Sequence, residues 1–245
     1  MAPTMLFHFL IAAVATLAGA IAAVVGFGIG SLLTPLLGLE VGLKLAVALV
    51  AVPHAIATAT RFWLLRRHVD KRVLLGFGLA SAAGGLVGAL LHGVFASRGL
   101  TYLLAALLIF VGVSGWTGLT ARMRFEGVWA WLAGILSGGL GGLVGNQGGI
   151  RSGAMLGMGV EKTAFVGTAT AIGLMVDAAR LPVYLYTSSG LMAAHWMPIA
   201  IASVGVLLGT FLGERLLRRL PESAFRHFVA TLVLVLGLVL LIHPE

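Results

Sequence analysis

Residues 145–153 combine residue types and spacing suited to binding a small anion. They read Gly-Asn-Gln-Gly-Gly-Ile-Arg-Ser-Gly and lie between two long apolar segments. A guanidinium presents a planar fork of N–H donors that matches oxyanions, and at membrane depth it costs about 2.5–3.5 kcal/mol, so it needs a partner or a function. We interpret the segment as an anion site whose ligands are Arg151, Ser152, Asn146, Gln147, Gly148 and Gly149.

A second glycine-rich segment, residues 26–31, interrupts the first apolar run. Each glycine inside a helix costs about 1 kcal/mol relative to alanine, so both segments are predicted to break their helices. A helix that resumes after such a break begins with free N–H groups and a partial positive charge. The predicted ligands here are Gly28, Gly30, Ser31 and Thr34. The alternative is that these glycines only permit close helix packing, as the spacing of Gly138 and Gly142 would allow.

Other polar residues interrupt apolar segments in both halves. Asp177 and Arg180 are three residues apart and can pair on one helix face. His54 follows Pro53 and carries a side chain that titrates near physiological pH. We predict a coupling or gating role for His54, Asp177, Arg180 and Arg61. The alternative is that Asp177 and Arg180 form a structural ion pair whose charges cancel, and that His54 is only hydrogen-bonded to the backbone.

Composition indicates which elements must position these residues. The chain has 245 residues, of which 60% are hydrophobic and 10% charged, with a mean hydropathy of +1.08. At about 20 residues a span, it has room for roughly eight membrane helices. Its net charge of +8 fits basic loops on the cytoplasmic side, so we predict no nucleic-acid partner. Cysteine is absent, which excludes disulfides and thiolate chemistry.

The predicted spans cover residues 6–25, 45–60, 73–94, 100–119, 129–144 and 163–186, with further apolar sequence towards residue 245. The first is expected to be a membrane helix rather than a cleaved signal, because no basic region precedes it. Residues 61–72 hold five basic residues and one acidic residue, which predicts a cytoplasmic loop.

The second half repeats the first. A shift of 119 residues aligns Gly26 with Gly145, Gly30 with Gly149, and Arg61 with Arg180. We therefore predict two membrane repeats, residues 1–122 and 123–245, within one transport domain.

Loop charges suggest that the two repeats are inverted. The basic loop 61–72 corresponds to residues 187–195, which contain no Lys or Arg, whereas the loop at Arg98 corresponds to residues 215–226, which contain four arginines. Inversion requires an odd number of crossings, so one segment beside each break must turn back. The predicted fold is an all-α integral membrane protein with about eight helices in two inverted repeats, each containing a Gly-rich break.

The residues themselves favour a transporter for a small anion over three other classes. A channel-like anion pathway would use the same site without alternating access. An intramembrane enzyme is disfavoured because no HExxH or GxSxG arrangement occurs. A structural scaffold leaves Arg151 unexplained. No cofactor and no metal site are predicted. Proton coupling, and a homodimer in the bilayer, are left open.

At these residues the chain resembles the TauE/SafE family of sulfite exporters. The resemblance rests on GFGIGSLLTPLL from Gly26, on PHAIATATRFWLLRRHVD from Pro53, and on the two similar halves. The second half departs from the pattern, with GNQGGIRSG and with Ala154 where proline is expected. The resemblance implies a multi-pass permease of the bacterial inner membrane that exports sulfite, a related sulfur oxyanion or an organosulfonate.

Overall fold

The computed structural model describes residues 3–119, 127–158, 160, 162–217 and 222–242, almost all of them in helices. Within these ranges no strand occurs, and the predicted all-α class is confirmed. Helices suit this sequence because a chain in lipid must satisfy its backbone hydrogen bonds internally.

The first half contains five helices, joined by short turns. Their bounds are α1 Pro3–Val25, α2 Ile29–Val41, α3 Leu43–Leu65, α4 Lys71–His92 and α5 Ser97–Thr117, where α4 includes a π-helical turn at Leu74–Gly78. Asp70 fixes the start of α4, because its Oδ1 accepts the N–H groups of Arg72 at 2.9 Å and Val73 at 3.2 Å. This is a side-chain N-cap.

The described part of the second half follows the same order of helices. Their bounds are α6 Val128–Val144, α7 Gly148–Gly157, α8 Lys162–Ala194, α9 Trp196–Leu217 and α10 Glu222–Ile242. In each half a short helix, α2 with 13 residues or α7 with 10, follows a glycine turn. At 1.5 Å per residue neither short helix reaches across a bilayer of about 30 Å.

Six helices among the described residues are long and apolar enough to cross a membrane: α1, α3, α4, α5, α8 and α9. Shorter apolar segments are Ile29–Val41, Val128–Val144 and, within α10, His227–Ile242. Among the described residues the structure therefore supports six spans by length and composition, whereas the sequence predicts about eight. The helix α6, with 17 residues, is slightly shorter than a full span. Large apolar side chains such as Phe9 and Trp129 point outward, as expected in lipid.

Two loop predictions are wrong at their edges. Arg61 lies within α3, which continues to Leu65, and its side chain is only 3% exposed. Residues 187–194, predicted as a loop, belong to α8, which ends at Ala194. Polar residues lower hydropathy without breaking a helix, so a helix can continue beyond its apolar part. The basic segment 215–226 has no described side chains.

Glycines bring α6 against α4, and α9 against α1. A Cβ on Gly138 would overlap the carbonyl oxygen of Ser81, and one on Gly142 would overlap that of Gly85. Likewise, a Cβ on Gly209 would overlap the carbonyl oxygen of Thr16. For Gly138 and Gly142 the close-packing interpretation is therefore correct. The first helix of each half thus packs on the fourth helix of the other half.

The third helices of the two halves run in opposite directions, and so do the fifth helices. Between α3 and α8, His54 contacts Asp177, whereas Leu65 lies beside Gly167. Between α5 and α10, Trp116 stacks on His227 with 4.3 Å between ring centroids. Further along the same pair, Gly237 packs on Ile109. In both pairs the residue numbers rise on one helix as they fall on its partner.

Candidate functional site

Both halves leave helical geometry at glycines with positive φ. Gly26 with φ 83° and Gly28 with φ 131° separate α1 from α2, and Gly145 with φ 72° separates α6 from α7. Residues with a side chain rarely adopt these backbone angles. The first N–H groups of α2 and α7 have no carbonyl partner within their own helix.

The two glycine breaks touch each other. A Cβ on Gly30 would overlap the carbonyl oxygen of Gly145, and a Cβ on Gly148 would overlap Phe27. The Thr34 hydroxyl lies 3.2 Å from the position that a Cβ on Gly145 would take. The starts of α2 and α7 therefore lie side by side.

Arg151 lies between the first break and α8. Its side chain is buried, and its Nη2 donates to the carbonyl oxygen of Gly26 at 2.9 Å. Its Nη1 lies 3.1 Å from the position of a Cβ on Gly173, where the absence of a side chain leaves room for the guanidinium. Within the described chain, Nε and Nη1 of Arg151 have no hydrogen-bond partner. Two buried donors are thus left for a ligand.

The other polar side chains predicted at the breaks are also enclosed. Ser31, Thr34, Asn146 and Gln147 are each less than 5% exposed. Several polar side-chain atoms at the two breaks and at the start of α7 lack a partner among the described residues. They are the hydroxyls of Thr34 and Ser152, the amide nitrogen of Asn146, and both the amide nitrogen and the amide oxygen of Gln147. A buried polar group without a partner costs about 1–3 kcal/mol. Such a concentration of unpaired donors is typical of a binding site for a polar ligand.

The predicted glycine ligands have close neighbours where a side chain would be. Phe27 fills this space at Gly148, Val111 fills it at Gly149, and Ile21 lies 3.0 Å from it at Gly28. These three glycines can offer a ligand only their backbone groups. Their predicted role in binding stays a prediction.

Asp177 is the centre of a buried network that joins the two halves. His54 Nδ1 lies 2.7 Å from Asp177 Oδ2, and the Thr58 hydroxyl donates to the same oxygen at 2.7 Å. Arg180 donates to Asp177 Oδ1 from Nε at 3.1 Å and from Nη2 at 2.9 Å. The ion pair expected from the spacing of Asp177 and Arg180 is therefore present. Its pairing with His54 adds a contact that their sequence positions do not predict.

Side chains cap the last carbonyl groups of α6, next to the second break. Arg180 Nη1 donates to the oxygen of Gly141 at 2.6 Å, and the Tyr184 hydroxyl donates to that of Gly142. His92 Nδ1 lies 2.7 Å from the oxygen of Leu143, while its Nε2 lies 2.9 Å from that of Lys44. The carbonyl end of a helix carries a partial negative charge, which a guanidinium stabilises. These contacts hold the second break in place.

Sequence reasoning missed His92, Tyr184, Thr58 and Gly173. The first two are polar side chains within apolar segments, and polar groups at membrane depth are expected to have partners. That signal could have identified them. The roles of Thr58 and Gly173 depend on contacts across the two halves, for which the local sequence carries no signal.

Arg61 and Arg180 are 119 residues apart, the shift that aligns the two predicted repeats. Arg61 is 3% exposed, and its Nε and Nη1 have no partner in the part of the chain that the structure describes. Thr58, one turn before Arg61 on α3, lies 3.5 Å from the position of a Cβ on Gly173, which Arg151 Nη1 approaches at 3.1 Å. Arg61 therefore belongs to the same buried cluster as Arg151.

The cluster contains no evident metal site. Among the described residues, no group of three or more His, Cys, Asp or Glu side chains could hold a metal ion. The arrangement instead offers guanidinium, amide, hydroxyl and backbone N–H donors around two helix starts. Such donors favour an oxyanion.

Comparison with known proteins gives one family. The profile of the family described as "Sulfite exporter TauE/SafE" matches residues 11–240, nearly the whole chain. No curated protein and no solved structure matches the chain. The match agrees with the apolar helices and with the resemblance in the glycine segments. The chain belongs to the TauE/SafE family of sulfite exporters and is a multi-pass membrane permease of the sulfur-anion exporter type.

Proposed function

We propose that the protein exports a small sulfur-containing anion, sulfite or an organosulfonate, from the cytoplasm through a site between the starts of α2 and α7. The observation that carries this proposal is Arg151, which is buried at the contact between the breaks with Nε and Nη1 unpaired within the described residues. A buried guanidinium with unpaired donors destabilises the fold, but it is well placed to bind an anion.

The two helix starts support the same site. α2 and α7 each begin with unpaired N–H groups and the positive end of a helix dipole. Their contact at Gly30 and Gly145 places the two ends together. We assign Arg151, Asn146, Gln147, Ser152, Ser31 and Thr34 as side-chain ligands, with backbone N–H groups of Gly30, Gly148 and Gly149 added from the helix starts.

We further propose that the halves are inverted repeats and that rocking of one against the other gives alternating access. The opposite directions of α3 and α8, and of α5 and α10, support inversion. Inversion then requires α1 with α2, and α6 with α7, to return to the side from which each pair starts, so that the other three helices of each half make an odd number of crossings. Transporters with inverted repeats bind substrate near the midplane, beside broken helices.

Export from a bacterial inner membrane is favourable for an anion without a coupling ion. Each negative charge that leaves a negative interior gains about 2.3 kcal/mol per 100 mV. The network of His54, Asp177 and Arg180 joins α3 of one half to α8 of the other. Movement between the halves would have to rearrange it, so we assign it to gating, with His54 as the group that could carry a proton.

The test is sulfite efflux from liposomes containing the purified protein. Wild type is compared with Arg151→Gln, and Arg67→Gln serves as the control because Arg67 is an exposed arginine in the turn Arg66–His68. We expect Arg151→Gln to lower the initial efflux rate by at least about tenfold, the equivalent of one charge-assisted hydrogen bond. Arg67→Gln should retain the wild-type rate.

Thermal unfolding separates a binding role of Arg151 from a structural one. Because the substitution removes a buried charge without a carboxylate partner among the described residues, Arg151→Gln should melt at the wild-type temperature or above it. Wild-type efflux in Arg151→Gln would overturn the site. Large unitary currents in wild type would favour a channel over alternating access.

A further inference from the structure

The equivalent positions of the two halves differ in one charge, and this difference bears on the substrate. Thr58 in α3 and Asp177 in α8 are 119 residues apart, the spacing of the repeat, and the Thr58 hydroxyl donates to Asp177 Oδ2 at 2.7 Å. Arg61 and Arg180 each follow three residues later on the same helix. One arginine of this related pair therefore follows a carboxylate, and the other follows a hydroxyl.

Arg180 is occupied by protein groups. It pairs with Asp177 through Nε and Nη2, and its Nη1 donates to the carbonyl oxygen of Gly141 at 2.6 Å. Every nitrogen of this guanidinium has a partner, and its charge is matched by a carboxylate. Arg180 therefore has no free donor nitrogen for a ligand.

Arg61 differs from Arg180 in both respects. Its Nε and Nη1 find no partner among the described residues, and the described chain contains no ion pair to it. The buried hydroxyl of Thr170 on the facing helix α8 is likewise unpaired in that part of the chain. No carboxylate among the described residues pairs with the charge of Arg61, and at least two of its nitrogens are free to donate to a ligand.

Arg61 and Arg151 face the same stretch of α8. Gly173 has Arg151 Nη1 at 3.1 Å and Thr58 Cγ2 at 3.5 Å from its missing Cβ. Arg61 lies one turn beyond Thr58, towards Leu65, whose carbonyl oxygen lies 3.2 Å from a Cβ on Gly167. Since α3 and α8 are antiparallel, Arg61 lies alongside the turn of α8 between Gly167 and Gly173.

The charges of the buried cluster do not balance. Three guanidiniums, those of Arg61, Arg151 and Arg180, face one carboxylate, that of Asp177. Two positive charges are left when His54 is neutral, and protonation of His54 would increase the excess. Lys44 and Asp70 lie at helix ends, outside this cluster. A monoanion would match only one of the two excess charges.

We propose that Arg61 and Arg151 bind the transported anion together and that the site selects a dianion over a monoanion of the same shape. This inference rests on the proposed function, because it takes the Arg151 site to be the anion site. It reassigns Arg61 from coupling or gating to direct binding. The first half has the hydroxyl of Thr58 where the second half has the carboxylate of Asp177. This difference then sets the charge of the preferred substrate.

The test compares sulfate with methanesulfonate, in which a methyl group replaces one charged oxygen. Binding of each sodium salt to the purified full chain is measured by calorimetry, with ionic strength held constant by sodium gluconate. We expect wild type to bind sulfate at least about tenfold more tightly than methanesulfonate, since the second guanidinium adds one charge-assisted interaction. Arg61→Gln should lose most of this preference by weakening sulfate binding, while Arg61→Lys, which keeps the charge, should retain it.

The outcomes distinguish the inference from the proposed function. Equal affinity of wild type for the two anions would overturn dianion selection and leave the anion site intact. Binding of neither anion by wild type would overturn the proposed site itself. An unchanged preference in Arg61→Gln would overturn the role of Arg61. If Arg61→Gln does not fold, the wild-type comparison and Arg61→Lys still decide: a preference retained in Arg61→Lys supports the inference, and a preference lost in Arg61→Lys overturns the role given to the charge of Arg61.

Discussion

Thr58 and Asp177 are 119 residues apart, the shift that aligns the two predicted repeats, and are hydrogen-bonded to each other at 2.7 Å. This hydrogen bond lies where the two halves of the chain meet. The contact joins α3 to α8 and brings His54, Arg61 and Arg180 into one buried cluster. The cluster lies beside Arg151, which reaches the first break. The proposed anion site and the contact between the halves are therefore adjacent.

Asp177→Asn should destabilise the fold strongly. The substitution keeps the shape of the side chain but leaves Arg180 without its carboxylate, and breaking a buried pair on one side costs about 3–5 kcal/mol. The matched control is Asp70→Asn, which should have little effect because asparagine also caps a helix well. Thermal unfolding in detergent measures both. Equal melting temperatures for the two variants would show that the Asp177 pair is dispensable.

Gly30→Ala should separate the two breaks. The added methyl group would overlap the carbonyl oxygen of Gly145, so α2 or α7 must move, at a cost of about 1–3 kcal/mol for overpacking. Gly76→Ala in α4 is the control, because a Cβ there has no neighbour within 4 Å. We expect loss of sulfite efflux and a lower melting temperature for Gly30→Ala only. Wild-type efflux in Gly30→Ala would argue against a site at the contact between the breaks.

His92→Leu should loosen the end of α6. His92 lies within hydrogen-bond distance of the carbonyl oxygens of Leu143 and Lys44, so its removal leaves buried acceptors unpaired at about 1–3 kcal/mol. His195→Leu is the control, since His195 is only partly buried and its Nδ1 lies beside the carbonyl oxygen of Leu191. A lower melting temperature is expected for His92→Leu alone. No difference between the variants would mean that the His92 contacts add nothing to stability.

His54 should make anion binding depend on pH. As pH falls, protonation of an imidazole adds a positive charge to the cluster, so anion affinity should rise towards acid pH and fall towards alkaline pH. His54→Ala should flatten this dependence, whereas His68→Ala, at an exposed position, should keep it. Calorimetric titration with sulfate at several pH values measures the effect, because sulfate keeps its own charge. An unchanged profile in His54→Ala would remove His54 from the mechanism.

Much of the fold follows from local sequence patterns. Apolar runs predict the long helices, since hydropathy and span length are local properties. The positive φ angles at Gly26, Gly28 and Gly145 occur where glycine clusters predict irregular backbone. The spacing of Asp177 and Arg180 predicts their pairing, which the structure contains.

The remaining features depend on contacts between distant parts of the chain. The basic segment that follows Arg61 predicts a loop there, yet α3 continues for another four residues and buries the Arg61 side chain. Burial of Arg61 depends on packing against α8, which hydropathy does not report. The caps that His92 and Tyr184 provide to α6 are also contacts over more than 40 residues of sequence.

The position of the bound anion tests the central claim most directly. Crystals of the full chain soaked with selenite, an oxyanion analogue of sulfite, would be measured at the selenium absorption edge to locate the anomalous scatterer. We predict one strong selenium peak between the starts of α2 and α7, within hydrogen-bond distance of the Arg151 guanidinium, and no such peak in Arg151→Gln. A selenium peak elsewhere in the wild-type protein, with none beside Arg151, would contradict the site proposed for this exporter.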